Sequence, residues 1–459
     1  MISRLAIALL VLIALIGAAA TGYLINAGPV GGALLTKQLC SLVFVSELPP
    51  ALARKTYIES LIGPADRLFT HHIDRARQAV HVRGIGHEHT ARFYPGLGCV
   101  LGTERPPLLV ETVTVRRPTV AGIDLTLRRR TFDEAALEAA LDRAFEEPTG
   151  VEGRRNTLAV AVRYRDRIVA ERYAPHVNAA TPLPGWSMAK SVTATLAGML
   201  VHEDRLDLTA GELYPSWAAP DPRAQITAEQ LLRMTSGIDI EENGSGLDAN
   251  SHMLFLEPST IAFAVQRGLA TPPGSAFAYS SGSTMLLQGV LTDRAGGREA
   301  IQGLVRTLFD TLGMHSAVLE PDPAGMFVGS SFLFASARDW TALGQLYLNG
   351  GVWNGTRLFD PGWSTYVSER TPQSGDRAYG AGFWRPQPAA RYEGQGVPPL
   401  PPETYAAQGL QNQALFVLPA QELVIVRLGA TASGAYWQSG QWDLVADVLA
   451  AMKPADETL

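Results

Sequence analysis

Pro184-Gly185-Trp186-Ser187-Met188-Ala189-Lys190-Ser191-Val192-Thr193 decides the reading of this 459-residue chain. The Pro and Gly before Trp186 stop a helix, whereas Met188 to Val201 is an apolar run able to carry one. Ser187 is therefore expected at a helix N-terminus, where unpaired N–H groups and the helix dipole favour developing negative charge. Lys190, three residues on, projects from the same face. A hydroxyl one turn from an amine is a nucleophile beside its base.

Lysine usage sharpens this reading. The chain has four lysines, Lys37, Lys55, Lys190 and Lys453, and relies on arginine elsewhere. A guanidinium cannot give up its proton near neutral pH, but a buried ammonium can, so lysine at position 190 is read as required. S-x-x-K alone would equally describe a helix cap beside a surface lysine. Two motifs downstream decide between them.

Tyr279-Ser280-Ser281 precedes a second apolar helix, and beside a lysine the Tyr279 phenol is expected to lose its proton more readily and to carry protons to and from the reaction. Ala406-Ala407-Gln408-Gly409-Leu410 leads into a strand-like run from Ala414 to Leu418. Gly409 would let a substrate backbone approach the strand edge, and the N–H of Leu410 could donate to an oxyanion.

The surroundings are those of an ordinary globular protein, with 46% hydrophobic and 18% charged residues and a net charge of -6. That composition excludes a disordered chain, and the missing basic stripe argues against a nucleic-acid partner. Leu5 to Ile25 is uncharged and the next charged residue is Lys37. Residues 1–27 read either as a retained signal anchor or as a signal peptide cleaved near Ala18-Ala19-Ala20. Both place the rest outside the cytoplasm, anchored in the inner membrane facing the periplasm or secreted there. Cys40 and Cys99, the only cysteines, are then expected to form a disulfide within an N-terminal region of residues 28–120, with two buried thiols as the alternative. His87 and His89 could pair on a metal, but no second ligand cluster has zinc spacing, and no metal is expected.

Elsewhere the patterns are local. Thr131-Phe132-Asp133-Glu134 reads as a capping box for a helix whose Leu137, Ala140, Leu141, Ala144 and Phe145 share a face. Thr157 to Tyr164 with Ile168 to Tyr173, and Ala414 to Leu418 with Leu423 to Leu428, read as hairpins. Leu108 to Val115 is strand-like. Capped helices are expected after Thr227 and Ser336, and a last one from about Trp437 to Met452. Gln387 to Pro402 reads as a long surface loop. Strands at both ends with helices between imply one antiparallel sheet in an α+β fold.

In order and context the three motifs resemble S-x-x-K, Y-x-N and K-T-G of the penicillin-recognising serine hydrolases, and most of all the class C β-lactamase-related group with its esterases and 6-aminohexanoate-dimer hydrolases. Leu231-Leu232-Arg233-Met234-Thr235-Ser236-Gly237-Ile238 and Trp353-Asn354-Gly355 fit as well. The resemblance covers about residues 130 to 455 and implies a β-lactamase/transpeptidase-like fold over residues 121–459: an antiparallel sheet flanked by N- and C-terminal helices, with an inserted helical domain.

It also implies roles: Ser187 as nucleophile, Lys190 and Tyr279 as proton carriers, the N–H groups of Ser187 and Leu410 as oxyanion hole, and Trp186, Ser281, Gln408 and Gly409 at the substrate. No cofactor is implied. Two departures stand out. Ser281 occupies the place of an Asn amide, and Gln408-Gly409 lacks the lysine that attracts an anionic substrate. Both favour an uncharged ester or a linear amide over a β-lactam. The rivals are a D-alanyl-D-alanine carboxypeptidase or endopeptidase, a β-lactamase, and a membrane-tethered binding protein without turnover. The loop Ile238 to Phe255, with Asp239, Glu241, Glu242, Asp248 and His252, is where selectivity is expected to reside. Oligomeric state is left open.

Overall fold

The computed structural model describes residues 4–107, 122–149, 155–386, 399–432 and 439–454. Helix α1 spans Arg4–Phe44. Its second half is embedded, with Val30, Ala33, Leu35, Leu39 and Leu42 buried. It packs on an antiparallel meander of β1 (Phe69–Asp74), β2 (Ala79–Gly84), β3 (His87–Tyr94) and β4 (Gly98–Leu101). The approach is close enough that a Cβ at Gly32 would stand 2.8 Å from the His89 ring.

The expected disulfide is present: Cys40 and Cys99, with Cα atoms 6.0 Å apart, join α1 to β4. Beside it lies the buried carboxylate of Glu320, which accepts from Lys37 Nζ, from Ser41 Oγ at 2.8 Å and from the Cys99 N–H at 2.6 Å. Glu320 follows the short strand Val318–Leu319, so this cluster fastens the N-terminal region to the rest of the chain.

The first half of α1 leaves Leu12, Ile13, Leu15, Tyr23 and Ile25 exposed. Among the described residues no helix is long and apolar enough to cross a membrane. The expected N-terminal membrane segment therefore gains no support, and the helix that carries it continues into the protein to Phe44.

The remaining elements that position the site are, in chain order, α2 (Glu134–Phe145), β5 (Thr157–Tyr164), β6 (Arg167–Tyr173), α3 (Ala189–His202), α4 (Ser281–Arg294), α5 (Ala337–Leu348), β7 (Tyr405–Gly409), β8 (Gln413–Leu418), β9 (Leu423–Gly429) and α6 (Gln441–Ala450). Five strands form one antiparallel sheet in the order β7-β8-β9-β5-β6, with Ala161 opposite Val426 and Phe416 opposite Ile425. Distant ends of the chain thus meet in one sheet, as expected.

The side-chain alternation of a strand explains why β5 is apolar throughout. Val160 and Val162 face α2 and α6 through Leu137, Leu141, Trp442 and Val445. Ala159 and Ala161, with Leu415 and Val424, join the opposite core, which includes Trp340 and Leu343 of α5. There α5 lies so near the sheet that a Cβ at Gly344 would be 2.6 Å from Val424.

Some boundaries differ from the sequence reading. Helix α2 is capped by Asp133, which accepts from the Ala136 N–H at 2.8 Å, because Thr131 is already the last residue of the short helix Leu125–Thr131. The capping boxes at Thr227 and Ser336 form as expected. Helix α6 begins at Gln441, after Gly440 in the left-handed region, rather than near Trp437. Residues 433–438, the Leu108 to Val115 run and most of the 387–402 loop lie outside the described residues.

Candidate active site

Ser187 sits in a tight turn, Trp186–Met188, which runs directly into α3 at Ala189. It is thus not the helix cap itself but is held just before it. Trp186 has φ +49°, a left-handed conformation that a bulky residue adopts only where its surroundings enforce it. They do so here. Its indole Nε1–H donates to Gln411 Oε1 at 3.2 Å, and the residue is 4% exposed. Trp186, expected at the substrate, is instead buried and supports the nucleophile turn.

Lys190 is buried, with Nζ 3.0 Å from Ser187 Oγ, 3.0 Å from Ser281 Oγ and 3.2 Å from the Ser330 carbonyl. Burial pushes its pKa below the ordinary lysine value, while the Glu242 carboxylate opposes the shift. A neutral amine has two N–H donors and one lone pair. In that state, donation to Ser281 and Ser330 would leave the lone pair for the Ser187 O–H.

The Tyr279 ring lies with its centroid 4.8 Å from Lys190 Nζ. It is packed between Tyr379 at 5.7 Å and Trp384 at 5.1 Å. Its phenol is held well above the usual tyrosine range by burial, then by the charge of Glu242 and by Tyr379, and a hydrogen bond with Ser187 only partly offsets this. The expectation that Tyr279 ionises readily is therefore not met: burial and the charge of Glu242 both disfavour a phenolate. Tyr279 is an O–H donor.

Ser281 also differs from expectation. Its hydroxyl is bonded to Lys190, its N–H donates to Glu242 Oε2 at 2.6 Å, and it is 1% exposed. A side chain this short and this buried orients the lysine rather than the substrate. Ser280, one residue earlier, caps α4 through the Gly282 N–H.

The third motif closes the site from the sheet. Gly409 at the end of β7 is extended, so conformational freedom is not why glycine stands there. A Cβ would be 2.1 Å from the Gly185 carbonyl oxygen and 3.2 Å from the Ser187 nitrogen. Only a residue without one lets the strand end lie against the nucleophile turn, which sets the Gly409–Leu410 peptide beside the Ser187 N–H. The Leu410 side chain is exposed and Gln408 is half-buried.

The following residues, Gln411 and Asn412, both have φ +60°. Buried Arg427 holds them, donating to the Asn412 carbonyl at 2.9 Å and the Gln411 carbonyl at 3.3 Å. Gln411 Nε2 reaches the N-terminal region, donating to the Tyr57 carbonyl at 3.0 Å and Ser60 Oγ at 2.6 Å. The region before residue 120 thus buttresses the loop that follows the third motif.

Three participants escaped the sequence reading of the motifs. Gln411 lies two residues past Gly409 and carried no signature. Ser330 acts through a backbone carbonyl, which leaves none. Glu242 stood only as one acid among several in a loop. Among the described residues no three His, Cys, Asp or Glu side chains are grouped to hold a metal ion.

A serine held just before a helix, a buried lysine within hydrogen-bond reach of it and a tyrosine ring over that lysine are the parts of an acyl-transferring serine hydrolase. The family model for β-lactamase matches residues 137–449, and the chain belongs to the β-lactamase family. No curated protein matches the chain significantly. Among solved structures, a provisionally named 6-aminohexanoate-dimer hydrolase from Bacillus anthracis is 24% identical over 64% of this chain and 79% of its own, with a TM-score of 0.51. A family VIII carboxylesterase is 14% identical over 72% of this chain and 99% of its own, with a TM-score of 0.54. A β-lactamase from Mycobacterium bovis is 18% identical over 71% and 100%, with a TM-score of 0.50. At these identities the likeness is one of fold.

Proposed function

We propose that the protein cleaves an ester or a linear amide without a carboxylate next to the scissile bond, through an acyl-enzyme on Ser187. The observation that carries this reading is Lys190 Nζ at 3.0 Å from Ser187 Oγ in a buried setting that favours the neutral amine. Lys190 takes the proton as Ser187 Oγ attacks the carbonyl carbon. The Ser187 and Leu410 N–H groups receive the oxyanion. Tyr279 donates its proton to the departing oxygen or nitrogen and is reprotonated from Lys190. Water then attacks the acyl-enzyme, its proton passing back through the same pair. The stretch ending in Gln408-Gly409, which has no lysine where relatives that bind anionic substrates have Lys-Thr-Gly, supports the preference against carboxylates.

We further infer that the chain works outside the cytoplasm with the first half of α1 at a membrane. The Cys40–Cys99 disulfide supports an oxidising compartment. The exposed Leu12, Ile13, Leu15 and Ile25 support the membrane contact. Side-by-side turnover of p-nitrophenyl esters, a 6-aminohexanoate dimer and nitrocefin tests the substrate reading. Ester or dimer cleavage with little nitrocefin turnover is expected. Nitrocefin as the best of the three would contradict it.

A further inference from the structure

Residues 329–335 form one segment that reaches both the base and the nucleophile turn. The Ser330 carbonyl accepts from Lys190 Nζ at 3.2 Å, and the Leu333 carbonyl accepts from the N–H of Gly185, two residues before Ser187, at 2.8 Å. Strand Leu333–Ala335 pairs with Leu183–Pro184 on that side and with Val318–Leu319 on the other. Glu320 follows directly. Its carbonyl accepts from the Val328 N–H at 3.1 Å and its N–H donates to the Phe332 carbonyl at 2.8 Å. These two backbone bonds bracket Ser330, so the place of Glu320 sets the place of the carbonyl that holds Lys190.

Glu320 is in turn placed by the N-terminal region. Its buried carboxylate accepts through Oε1 from Ser41 at 2.8 Å and from the Cys99 N–H at 2.6 Å, and through Oε2 from Lys37 Nζ and from Ser41 at 3.0 Å. The Lys37 ammonium also lies 4.3 Å from the centroid of the Phe332 ring, holding the same segment from a second side. All three donor residues stand outside residues 137–449, the span that the β-lactamase family model matches. Two charges taken out of water this completely add little to stability over an apolar pair, whereas their directional bonds fix a geometry.

We propose that Glu320, held by Lys37, Ser41 and Cys99, is a positioning residue for Lys190, acting through the Ser330 carbonyl. The N-terminal region is then a working part of the active site and not an appendage to it. The role rests on the hydrolase reading and adds to it the part of the chain that sets the base. Two variants test it. Glu320→Gln keeps an oxygen for the Cys99 N–H but leaves Lys37 without a counter-charge, and Lys37→Met/Glu320→Gln leaves no charge unpaired. In both, kcat on an activated ester should fall about tenfold with KM little changed, the worth of one charge-assisted hydrogen bond. The double variant should nevertheless melt closer to wild type than Glu320→Gln, because it buries no lone charge.

The rate at which a fluorophosphonate labels Ser187 is read alongside, since it requires no turnover, and it should fall with kcat. Added to Lys190→Arg, the double variant's changes should cost well under tenfold in labelling, because the residue that Glu320 serves is already gone. Folded variants with wild-type kcat and labelling, a change confined to KM, or the same loss with Lys190 and with Lys190→Arg would each overturn the positioning role. Wild type that cleaves no ester while its labelling still depends on Glu320 would keep that role and contradict the ester reading instead.

Discussion

The Trp186 indole and the Gln411 carboxamide are joined at 3.2 Å between two left-handed residues, one in the nucleophile turn and one in the loop after the third motif. Each holds the other in a conformation neither would adopt alone, and the amides of Ser187 and Leu410 lie next to the two ends of this link. The turn and the loop that carry the proposed oxyanion donors are thus tied together by one side-chain pair, and the loop is held from behind by Tyr57, Ser60 and Arg427.

Gln411→Ala should accordingly lower kcat by about tenfold with little change in KM, a fraction of the cost of removing an oxyanion donor outright. Steady-state kinetics on an activated ester, with folding checked by circular dichroism, reads the split. An unchanged kcat in a folded variant would show that the link does not position the amides.

Lys190→Arg keeps the positive charge and roughly the reach but cannot accept the Ser187 proton, so acylation should slow by about 10²-fold or more. Single-turnover kinetics measures the step directly. Rates equal to wild type would remove Lys190 from the role of base.

The pH profile carries a sign that follows from the burial of both groups. The proposed mechanism requires neutral Lys190, whose pKa is lowered, and protonated Tyr279, whose pKa is raised. The profile of kcat/KM should therefore rise through a limb below the ordinary lysine pKa and stay high past the ordinary tyrosine pKa. Because Glu242 raises the Lys190 value, Glu242→Gln should move the rising limb to lower pH. A limb that stays put or moves upward would separate Glu242 from the lysine electrostatically.

Much of this site was legible in the sequence. Ser187, Lys190 and Tyr279 announce themselves because each stands at a helix start with its motif partners a few residues away. Cys40 and Cys99 were legible as a pair because there is no other cysteine to choose. The misreadings share one cause. Trp186 and Ser281 were placed at the substrate because a motif names neighbours along the chain, whereas their partners come from elsewhere: Gln411 is 225 residues from Trp186 and Glu242 is 39 from Ser281. Gly409 was read as leaving room for a substrate backbone, whereas only the folded sheet shows the Gly185 carbonyl pressed against it. Tyr279 was expected to ionise because burial, which dominates its titration, has no local signature.

Reducing the Cys40–Cys99 bond should destabilise the protein by about 2–5 kcal/mol, as removal of a native crosslink typically does. The loss should propagate to the site, since the Cys99 N–H is one of the bonds that satisfy buried Glu320. Urea unfolding with and without reductant reads the difference. Coincident midpoints would show that the bond contributes nothing to stability.

The most direct measurement is intact-mass analysis after a fluorophosphonate and, separately, after rapid mixing with an activated ester. Wild type should gain one phosphonyl adduct and, transiently, one acyl group, and Ser187→Ala should gain neither while keeping its fold. Undiminished labelling of Ser187→Ala, or a wild type that never carries an acyl group while it turns over, would contradict an acyl-enzyme on Ser187.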